Sequence, residues 1–462
     1  MMAIILTGIS PSFADTGKTA EEVLGDSLVS SASVDWTDAP AINASSAILI
    51  DAGSGEILYE KDAYKQRAPA SITKMLTALL AIENLDLDEE ITVPDDFVVD
   101  PTGTRINLEA GEVMTVEELL YAAMLKSAND AADMLGIAVA GSLDNFYDMM
   151  NERAEECGAL NSNFTSASGL VSSDDDSHVT TAYDIAMIAM EAMNNEVFRQ
   201  FVSTYEHTIP ATNKSEEREL KSTNLCLYSS RTLEVNGETR SFKYDGATGV
   251  KTGYTEGAGY CLCGSAKDGD TELIAVVLNC ESSEERFADV ISLWDYGFSK
   301  YYTYVAAQAS DDVKTFRVWQ GKKGSVAVSM ARDLDITFNE GTDTGEISTK
   351  IIKTQKFIKA PIEKGQVLAY MGAYNDDGEL IAVSELVATE SIEKGGMLSY
   401  IGIPDDSSIK FILGLIMILA TLIVLRICYV RSMRKRRRRR RAKRNRELRR
   451  KEWERERHPF DN

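Results

Sequence analysis

One apolar segment constrains this chain most, because its length matches the thickness of a membrane. Residues 411–430 form an apolar run of 20 residues, interrupted only by Arg426 near its end. At a rise of about 1.5 Å per residue, a helix of this length spans about 30 Å, the thickness of a hydrocarbon core. Arg426 lies where a long side chain can reach the headgroups. The sequence therefore predicts one transmembrane helix near the C-terminus.

Basic residues follow this run directly. Residues 434–441 are eight consecutive Arg or Lys residues. A basic cluster beside a membrane span marks its cytoplasmic side. We therefore expect 404–430 to form a tether and the membrane helix, and the Arg-rich tail 431–462 to lie in the cytoplasm. The remainder of the chain would then be on the extracellular face of the cell membrane.

The N-terminus has the features of an export signal. Residues 1–9 are apolar, and Ser12 and Ala14 occupy the −3 and −1 positions of a possible cleavage site, although a basic leading region is missing. We expect residues 1–14 to be the remnant of a signal peptide. Residues 15–42, rich in Ser, Asp and Glu, read as an acidic linker.

Charge is unevenly divided and limits the choice of partners. The 462 residues have a net charge of −23, but residues 426–462 contain 15 Arg and 3 Lys against 4 Glu and 1 Asp, so the first 425 residues carry −36. Binding of nucleic acid by the body is not expected, because phosphate contacts need clustered cations. With only three histidines in the chain, we also expect no multi-histidine metal site. No metal and no cofactor are expected.

Hydrophobic periodicity predicts two domains outside the membrane. A hairpin at 47–59 is followed by helical patterns between 71 and 193, and then by two buried strands, 259–266 and 273–279. This order predicts one α/β domain over 43–304 whose sheet uses both ends of the segment. Short alternating runs then predict a small all-β domain over 305–403.

Six cysteines in an exported chain raise the question of disulfide bonds. Cys261 and Cys263 lie on one predicted strand and Cys280 ends the next. A hairpin that turns at 267–270 would place Cys261 opposite Val276, so no cysteine pair comes together. We therefore predict buried free thiols.

Three short motifs of Ser, Lys and Asn are the candidates for chemistry. Ser71 and Lys74 open a predicted helix and, three residues apart, share one face of it, where free N–H groups stabilise negative charge. Ser127-Ala-Asn129 separates two helical stretches. Lys251-Thr-Gly253 is predicted to open a glycine-rich strand, which allows a substrate backbone to approach the sheet edge. The chain has no G-x-S-x-G motif for a Ser-His-Asp site.

The order and spacing of these motifs resemble the low-molecular-mass penicillin-binding proteins of the serine-type D-alanyl-D-alanine carboxypeptidase family. The resemblance covers about residues 45–400, and its further motifs are Ala47–Ala52 with Tyr59, Ser168-Gly-Leu170, His178 with Thr180–Asp184, Thr223-Asn224 and Gly246–Gly259. It implies an α/β (α+β) fold of the β-lactamase/transpeptidase type, with an antiparallel sheet flanked by helices. A small all-β C-terminal domain follows, beside the one transmembrane helix.

The resemblance also implies roles for the motif residues. Ser71 would attack the carbonyl between two D-alanines and form an acyl-enzyme, Lys74 would take the proton of Ser71, and Ser127 would relay a proton to the leaving group. To act as a base, Lys74 must lose about 3 units of pKa. We expect burial and the charge of Lys251 to lower it.

The same resemblance implies a substrate site. Asn129 would hold the substrate amide, Thr252 the terminal carboxylate, and the backbone N–H groups of Ser71 and Tyr254 the oxyanion. The implied substrate-binding residues are Asn129, Lys251, Thr252, Gly253 and Tyr254. We expect His178 and Asp184 to have structural roles.

The implied partners are peptidoglycan stem peptides, β-lactam antibiotics as covalent inhibitors, and the lipid bilayer through the C-terminal helix. One position departs from the family pattern: Leu225 follows Thr223-Asn224, where relatives often have a basic residue. Carboxylate binding would then depend on Lys251 and Thr252, or on Arg231.

Three other functions stay open from the sequence. A β-lactamase has the same fold but needs a carboxylate that activates water, and no acid in this chain stands out for that role. A D,D-endopeptidase or a transpeptidase would use the same site with a different product. A catalytically weak wall-binding scaffold is favoured only by Leu225.

Overall fold

A computed structural model describes residues 32, 36–172, 176–310, 314–353, 355 and 357–457. Their chain packs into two compact units. Of these described residues, the larger unit comprises those up to 310 together with 329–353, 355 and 367–387, and the smaller comprises 314–328, 357–366 and 388–457. Strands from 305–403 occur in both units, so the domain boundaries expected from the sequence stay a prediction. The expected signal-peptide remnant 1–14 and most of the linker 15–42 lie outside the described residues.

The described residues form helices and strands in mixed order. The strands are β1 (Ser46–Asp51), β2 (Ile57–Lys61), β3 (Glu90–Thr92), β4 (Val113–Thr115), β5 (Glu206–Ile209), β6 (Arg218–Lys221), β7 (Thr232–Val235), β8 (Glu238–Ser241), β9 (Ala247–Thr255), β10 (Gly259–Asp268), β11 (Thr271–Cys280), β12 (Tyr301–Ala307), β13 (Lys314–Trp319), β14 (Ser325–Met330), β15 (Leu334–Asn339), β16 (Ser348–Lys353), β17 (Ile358–Lys359), β18 (Val367–Tyr374) and β19 (Leu380–Ala388). The α-helices are α1 (Lys74–Asn84), α2 (Val116–Tyr121), α3 (Asn129–Ala140), α4 (Leu143–Glu156), α5 (Ala182–Met193), α6 (Glu196–Ser203), α7 (Ser283–Lys300) and α8 (Asp405–Arg457).

The main sheet of the larger unit has five antiparallel strands in the order β2-β1-β11-β10-β9. The first strands of the chain therefore pair with the last strands of the segment, and the helices lie between them in sequence. This confirms the predicted fold class, an antiparallel sheet flanked by helices. Helix α5 packs against β1 and β11, and its buried residues belong to the core cluster that also contains the buried residues of α1.

The β10–β11 hairpin is shifted by two residues from the predicted register. Cys263 lies opposite Val276, whereas the sequence placed Cys261 there. The difference arises because Asp268 pairs with Thr271, so the turn contains only two residues. Gly269 has a φ of +60°, a conformation that glycine adopts without a steric penalty. The prediction of free thiols is nevertheless confirmed, since all six cysteines are unpaired and only Cys428 is exposed.

Short β-strands pair in both units in the C-terminal half of the chain. In the larger unit β16, β18 and β19 form an antiparallel ladder, and β12 pairs with β15. In the smaller unit β13 pairs with β14 in an antiparallel manner and with β17 in a parallel manner. These short strands confirm the all-β character expected for this part of the chain.

The C-terminal helix is longer than the sequence predicts. Helix α8 begins at Asp405, so residues expected to form a tether form its first turn, with Asp405 and Asp406 near its positive end. It continues through the Arg-rich residues to Arg457. Within the described residues, α8 is the one helix long and apolar enough to cross a membrane.

Candidate active site

The first part of the site is a tight turn that leads into helix α1. Residues Ala70–Thr73 form a 3₁₀-helix, and α1 continues from it at Lys74. Ala70 has a φ of +50°, which is unusual for a residue other than glycine and gives the turn its sharpness. As predicted, Ser71 and Lys74 share one face, and Lys74 Nζ lies 2.9 Å from Ser71 Oγ.

Lys74 is fully buried, and its hydrogen bonds use polar atoms from three other segments of the chain. Its Nζ donates to Asn129 Oδ1 at 2.8 Å and to the Ser168 carbonyl at 2.7 Å, besides the contact with Ser71. Burial lowers the pKa of Lys74 to about 7, although the carboxylates of Asp133 and Asp130 act in the opposite direction. Lys74 therefore exchanges its proton near neutral pH and is suited to act as a base.

The carbonyl of Ser168 reaches Lys74 because Gly169 follows it. Gly169 has a φ of +77°, and a Cβ there would lie 1.9 Å from the Ala70 carbonyl oxygen. Only glycine fits so close to the turn. Sequence reasoning noted Ser168-Gly-Leu170 as a motif but did not assign this contact, since a backbone carbonyl leaves no side-chain signal.

The second part of the site is a break between two helices, as predicted. Helix α2 continues into a π-helix, Ala122–Lys126, which ends at Ser127 in the left-handed region (φ 65°). Helix α3 then begins at Asn129, whose backbone N–H donates to the Thr104 carbonyl at 2.7 Å. The break directs two polar side chains towards the two buried lysines: Asn129 to Lys74, and Ser127 to Lys251.

Asp130 and Asp133 were missed by sequence reasoning. Asp130 accepts hydrogen bonds from the backbone N–H groups of Ile106 and Leu108, and so fixes the loop beside α3. Asp133 lies one turn further along α3, and burial raises its own pKa to about 6. In a chain this acidic, no local signal distinguishes these two carboxylates from the many exposed ones.

The third part of the site is the middle of strand β9. Lys251 is the fifth residue of this strand and lies opposite Cys263, so the expectation that the Lys-Thr-Gly motif opens a strand is wrong. The strand starts earlier because Ala247–Val250 also pair with β10. Lys251 is buried, and its Nζ donates to Ser127 Oγ at 2.9 Å and to the Thr252 carbonyl at 3.0 Å.

The two lysines interact, and their repulsion lowers the pKa of Lys251. The expectation that this repulsion lowers the pKa of Lys74 is not met. Burial lowers the pKa of Lys251 well below its usual value, and the positive charges of Lys74 and Arg286 lower it further. Lys251 has a second cation beside it, whereas Lys74 has two nearby carboxylates. Repulsion within the pair therefore favours deprotonation of Lys251.

Strand β9 also approaches the Ser71 turn closely. A Cβ on Gly253 would lie 2.9 Å from the Pro69 carbonyl oxygen and 3.2 Å from the Ile72 nitrogen. The missing side chain therefore lets strand β9 pack closely against the turn that carries Ser71. Tyr254 follows with 53% of its surface exposed, and its ring stacks on Tyr260 with centroids 4.3 Å apart.

A pair of threonines includes Thr252 of the Lys-Thr-Gly motif. Thr223 Oγ1 and Thr252 Oγ1 are 2.5 Å apart, and Asn224 Nδ2 donates to the Gly249 carbonyl at 2.8 Å. Arg231, suggested as an alternative carboxylate anchor, instead lies over the Phe242 ring and 3.8 Å from a Glu284 oxygen. Nothing in these contacts supports its suggested role.

The expected structural roles of His178 and Asp184 agree with their contacts. His178 is buried, accepts a hydrogen bond from the Thr165 backbone at Nδ1, and contacts Thr73 Oγ1 at 2.9 Å. The Asp184 side chain accepts from the Asn161 backbone and the Ser162 hydroxyl. Both residues hold segments around α1 and α5 in place.

Comparison with known proteins agrees with this geometry. Residues 33–282 match the family model described as D-alanyl-D-alanine carboxypeptidase, and residues 301–394 match that of the penicillin-binding protein 5 C-terminal domain. The D-alanyl-D-alanine carboxypeptidase DacF of Bacillus subtilis is 34% identical over 366 residues, which cover 78% of this chain and 89% of the relative.

Solved structures give the same result. Penicillin-binding protein 5 from Haemophilus influenzae superposes with a TM-score of 0.55 at 26% identity, covering 77% of this chain and 99% of the other. The Streptomyces K15 DD-transpeptidase superposes with a TM-score of 0.50 at 32% identity, covering 56% and 98%. On the strength of these matches and of the Ser71–Lys74 geometry, the chain belongs to the D-alanyl-D-alanine carboxypeptidase family of low-molecular-mass penicillin-binding proteins.

Proposed function

We propose that this protein removes the terminal D-alanine from peptidoglycan stem pentapeptides through an acyl-enzyme on Ser71. The observation that carries the proposal is the 2.9 Å contact between Ser71 Oγ and Lys74 Nζ, an amine whose pKa is lowered to about 7 by burial. Family membership supports the reaction class: a serine-type hydrolase of D-Ala-D-Ala bonds that also binds penicillin.

Acylation begins with proton transfer from Ser71 to Lys74. Neutral Lys74 accepts the hydroxyl proton while Ser71 Oγ attacks the carbonyl carbon between the two D-alanines. The oxyanion would be stabilised by the backbone N–H groups of Ser71 and Tyr254. When the C–N bond breaks, the proton that Lys74 took from Ser71 would pass by way of the Ser127 hydroxyl to the leaving amine of D-alanine, so that Lys74 is neutral again and Ser127 keeps its hydroxyl proton. Ser127 Oγ accepts a hydrogen bond from Lys251, which holds it in place.

Substrate binding would use the edge of β9 and the helix break. Asn129 would hold the substrate amide, and the Thr223–Thr252 pair with Lys251 would bind the terminal carboxylate. Gly253 allows the peptide to lie against the strand. Water then hydrolyses the acyl-enzyme and releases the shortened stem peptide. The strained amide of a β-lactam would acylate Ser71 in the same way.

The chain would act at the outer face of the cell membrane. Helix α8 fits a membrane anchor, and the Arg-rich residues that follow its apolar part favour a cytoplasmic tail. The body, residues 43–403, would then face peptidoglycan as a catalytic domain (43–304) and a β domain (305–403).

A second candidate reaction is acyl transfer to an amine. The structural likeness to the Streptomyces K15 DD-transpeptidase is the observation that favours it. Both reactions share the Ser71 acyl-enzyme and differ only in the acceptor, which is water in one case and an amino group in the other. Incubation with a pentapeptide, with and without added glycine as the acceptor, distinguishes free tetrapeptide from a glycine adduct.

Replacing the nucleophile tests the proposed site directly. We expect Ser71→Ala to abolish both release of D-alanine from a pentapeptide and covalent labelling by fluorescent penicillin, because no acyl-enzyme can form. Ser292→Ala removes a serine hydroxyl on α7 that donates to the Ala288 backbone carbonyl, away from Ser71, and should label as the wild type does. Labelling of Ser71→Ala on another serine, located by peptide mapping, would contradict the assignment.

The rate of acylation should follow the protonation of Lys74. Because only the neutral amine accepts a proton and its pKa is about 7, the second-order rate of penicillin acylation should rise about tenfold per pH unit below 7 and level off above it. Asp133→Asn removes a negative charge that raises the pKa of Lys74, so the acid limb should move to lower pH. Stopped-flow labelling from about pH 5 to about pH 9, in steps of about one pH unit, measures both profiles.

Asp144→Asn is the matched control for this shift. Asp144 is exposed and lies on α4, so its removal should leave the profile unchanged. A wild-type rate that is independent of pH around neutrality, or an Asp133→Asn profile identical to that of the wild type, would contradict the role of Lys74.

The proposed topology can be tested with single introduced cysteines, since five native cysteines are buried and Cys428 lies in the apolar part of α8. We expect Asn445→Cys, in the exposed tail, to resist a membrane-impermeant maleimide in intact cells and to react after lysis. Glu363→Cys, at an exposed position of the proposed β domain, should react both in intact cells and after lysis. Labelling of Asn445→Cys in intact cells would contradict a cytoplasmic tail.

A further inference from the structure

Helix α7 carries a buried cation, Arg286, that contacts strand β9. Arg286 is only 9% exposed, and its Nη1 donates to the Gly253 carbonyl at 3.0 Å and to the Cys261 carbonyl at 3.4 Å. Its Nη2 donates to Ser283 Oγ at 3.2 Å. Arg286 therefore bridges two neighbouring strands, β9 and β10, at the level of the Lys-Thr-Gly motif.

Burial of this guanidinium lowers the stability of the folded state. Among the residues that the structure describes, no carboxylate lies within ion-pair distance of Arg286, and its Nε has no hydrogen-bond partner. The group lies over the rings of Tyr260 and Phe287, at 5.3 and 5.0 Å from their centroids. Burial lowers its pKa, which shows how poorly the charge is solvated. A buried cation without a counter-ion destabilises a fold, so a contribution to function would explain its presence.

The carbonyl that Arg286 binds belongs to the peptide unit of a proposed oxyanion donor. The Gly253 C=O and the Tyr254 N–H are the two polar ends of one planar trans peptide, and so they point in opposite directions. Since the carbonyl points to Arg286 and the β10 side, the N–H points away from β10. Strand β9 ends the sheet order, and the Ser71 turn lies against Gly253. The Tyr254 N–H is therefore directed to the free edge of the sheet, and the turn that carries Ser71 lies against the adjoining face of the same strand at Gly253.

We propose that Arg286 is a positioning residue that fixes the Gly253–Tyr254 peptide plane and thereby pre-organises the Tyr254 N–H of the oxyanion hole. A charged donor on the carbonyl holds the plane at one orientation and polarises the amide, which makes the N–H at its other end a stronger donor. Such an interaction matters most when negative charge develops in the transition state. The inference rests on the proposed function, because it presupposes attack by Ser71.

The test compares Arg286→Met and Arg286→Lys with the wild-type full chain in detergent. We expect Arg286→Met to lower kcat for D-alanine release and the rate of penicillin acylation by roughly ten- to a hundredfold, less than the roughly 10²–10³ lost when an oxyanion donor is removed outright. KM should change little, since ground-state binding does not use this N–H. Arg286→Lys, which keeps a charged donor, should recover part of the loss.

A tetrahedral boronic acid inhibitor gives a second measurement that a general loss of packing would not reproduce. One oxygen of the boronate adduct occupies the position of the oxyanion, so its inhibition constant should weaken in Arg286→Met by the same factor as kcat/KM. Arg218→Met is the matched control, because Arg218 is also largely buried but pairs with Glu112. Its kinetic constants should equal those of the wild type.

The outcomes separate this inference from the proposed function. If the wild type releases D-alanine and a folded Arg286→Met or Arg286→Lys variant has wild-type kcat and boronate affinity, the positioning role is wrong and the enzyme assignment stands. A rise in KM alone would equally overturn the role. Should Arg286→Met fail to fold, Arg286→Lys decides by the same two measurements. If the wild type itself neither releases D-alanine nor is acylated, the proposed function fails first.

Discussion

The site depends on one buried amine. Lys74 has no exposed surface, and its hydrogen bonds reach Ser71, Asn129 and a backbone carbonyl from three different segments. Removing an ammonium from water disfavours the charged form, and this desolvation outweighs the attraction of two nearby carboxylates. Burial thereby lowers the pKa of this lysine to about 7, which suits it to the proposed role of a base at neutral pH. Two of these segments carry Ser71 and Asn129, the proposed nucleophile and a proposed substrate-binding residue.

The architecture explains how these segments meet. The antiparallel sheet ends at β9, which leaves one edge unpaired by other strands of that sheet, and the turn before α1 fits against it because Gly253 has no side chain. The π-helix and the left-handed residue Ser127 interrupt the α2–α3 region where its polar side chains face both lysines. Irregular backbone is thus concentrated where chemistry is proposed, and regular structure supports it.

Much of this was predictable from the sequence, for identifiable reasons. Hydrophobic periodicity predicted the hairpin, the helices and the sheet that uses both ends of the domain, and short motifs identified Ser71, Lys74 and the Lys-Thr-Gly segment. The structure brings these residues together, while their catalytic roles stay predictions. The two-residue register error arose from the turn length, and the start of β9 was missed because glycines weaken a strand pattern. Contacts such as those of the Ser168 carbonyl and Arg286 depend on tertiary packing, so single-sequence reasoning could not find them.

The protonation of Lys74 is the central claim, and it can be measured without reference to catalysis. NMR of the full chain with ¹³C-labelled lysine, with Lys74→Arg used to assign the signal, follows the ε-carbon of this residue through a pH titration. The account predicts a midpoint near the value of about 7 that burial gives it, far below the ordinary value of 10.5. A midpoint close to 10.5 would mean that the amine stays charged at neutral pH, and Lys74 could not then be the base that activates Ser71.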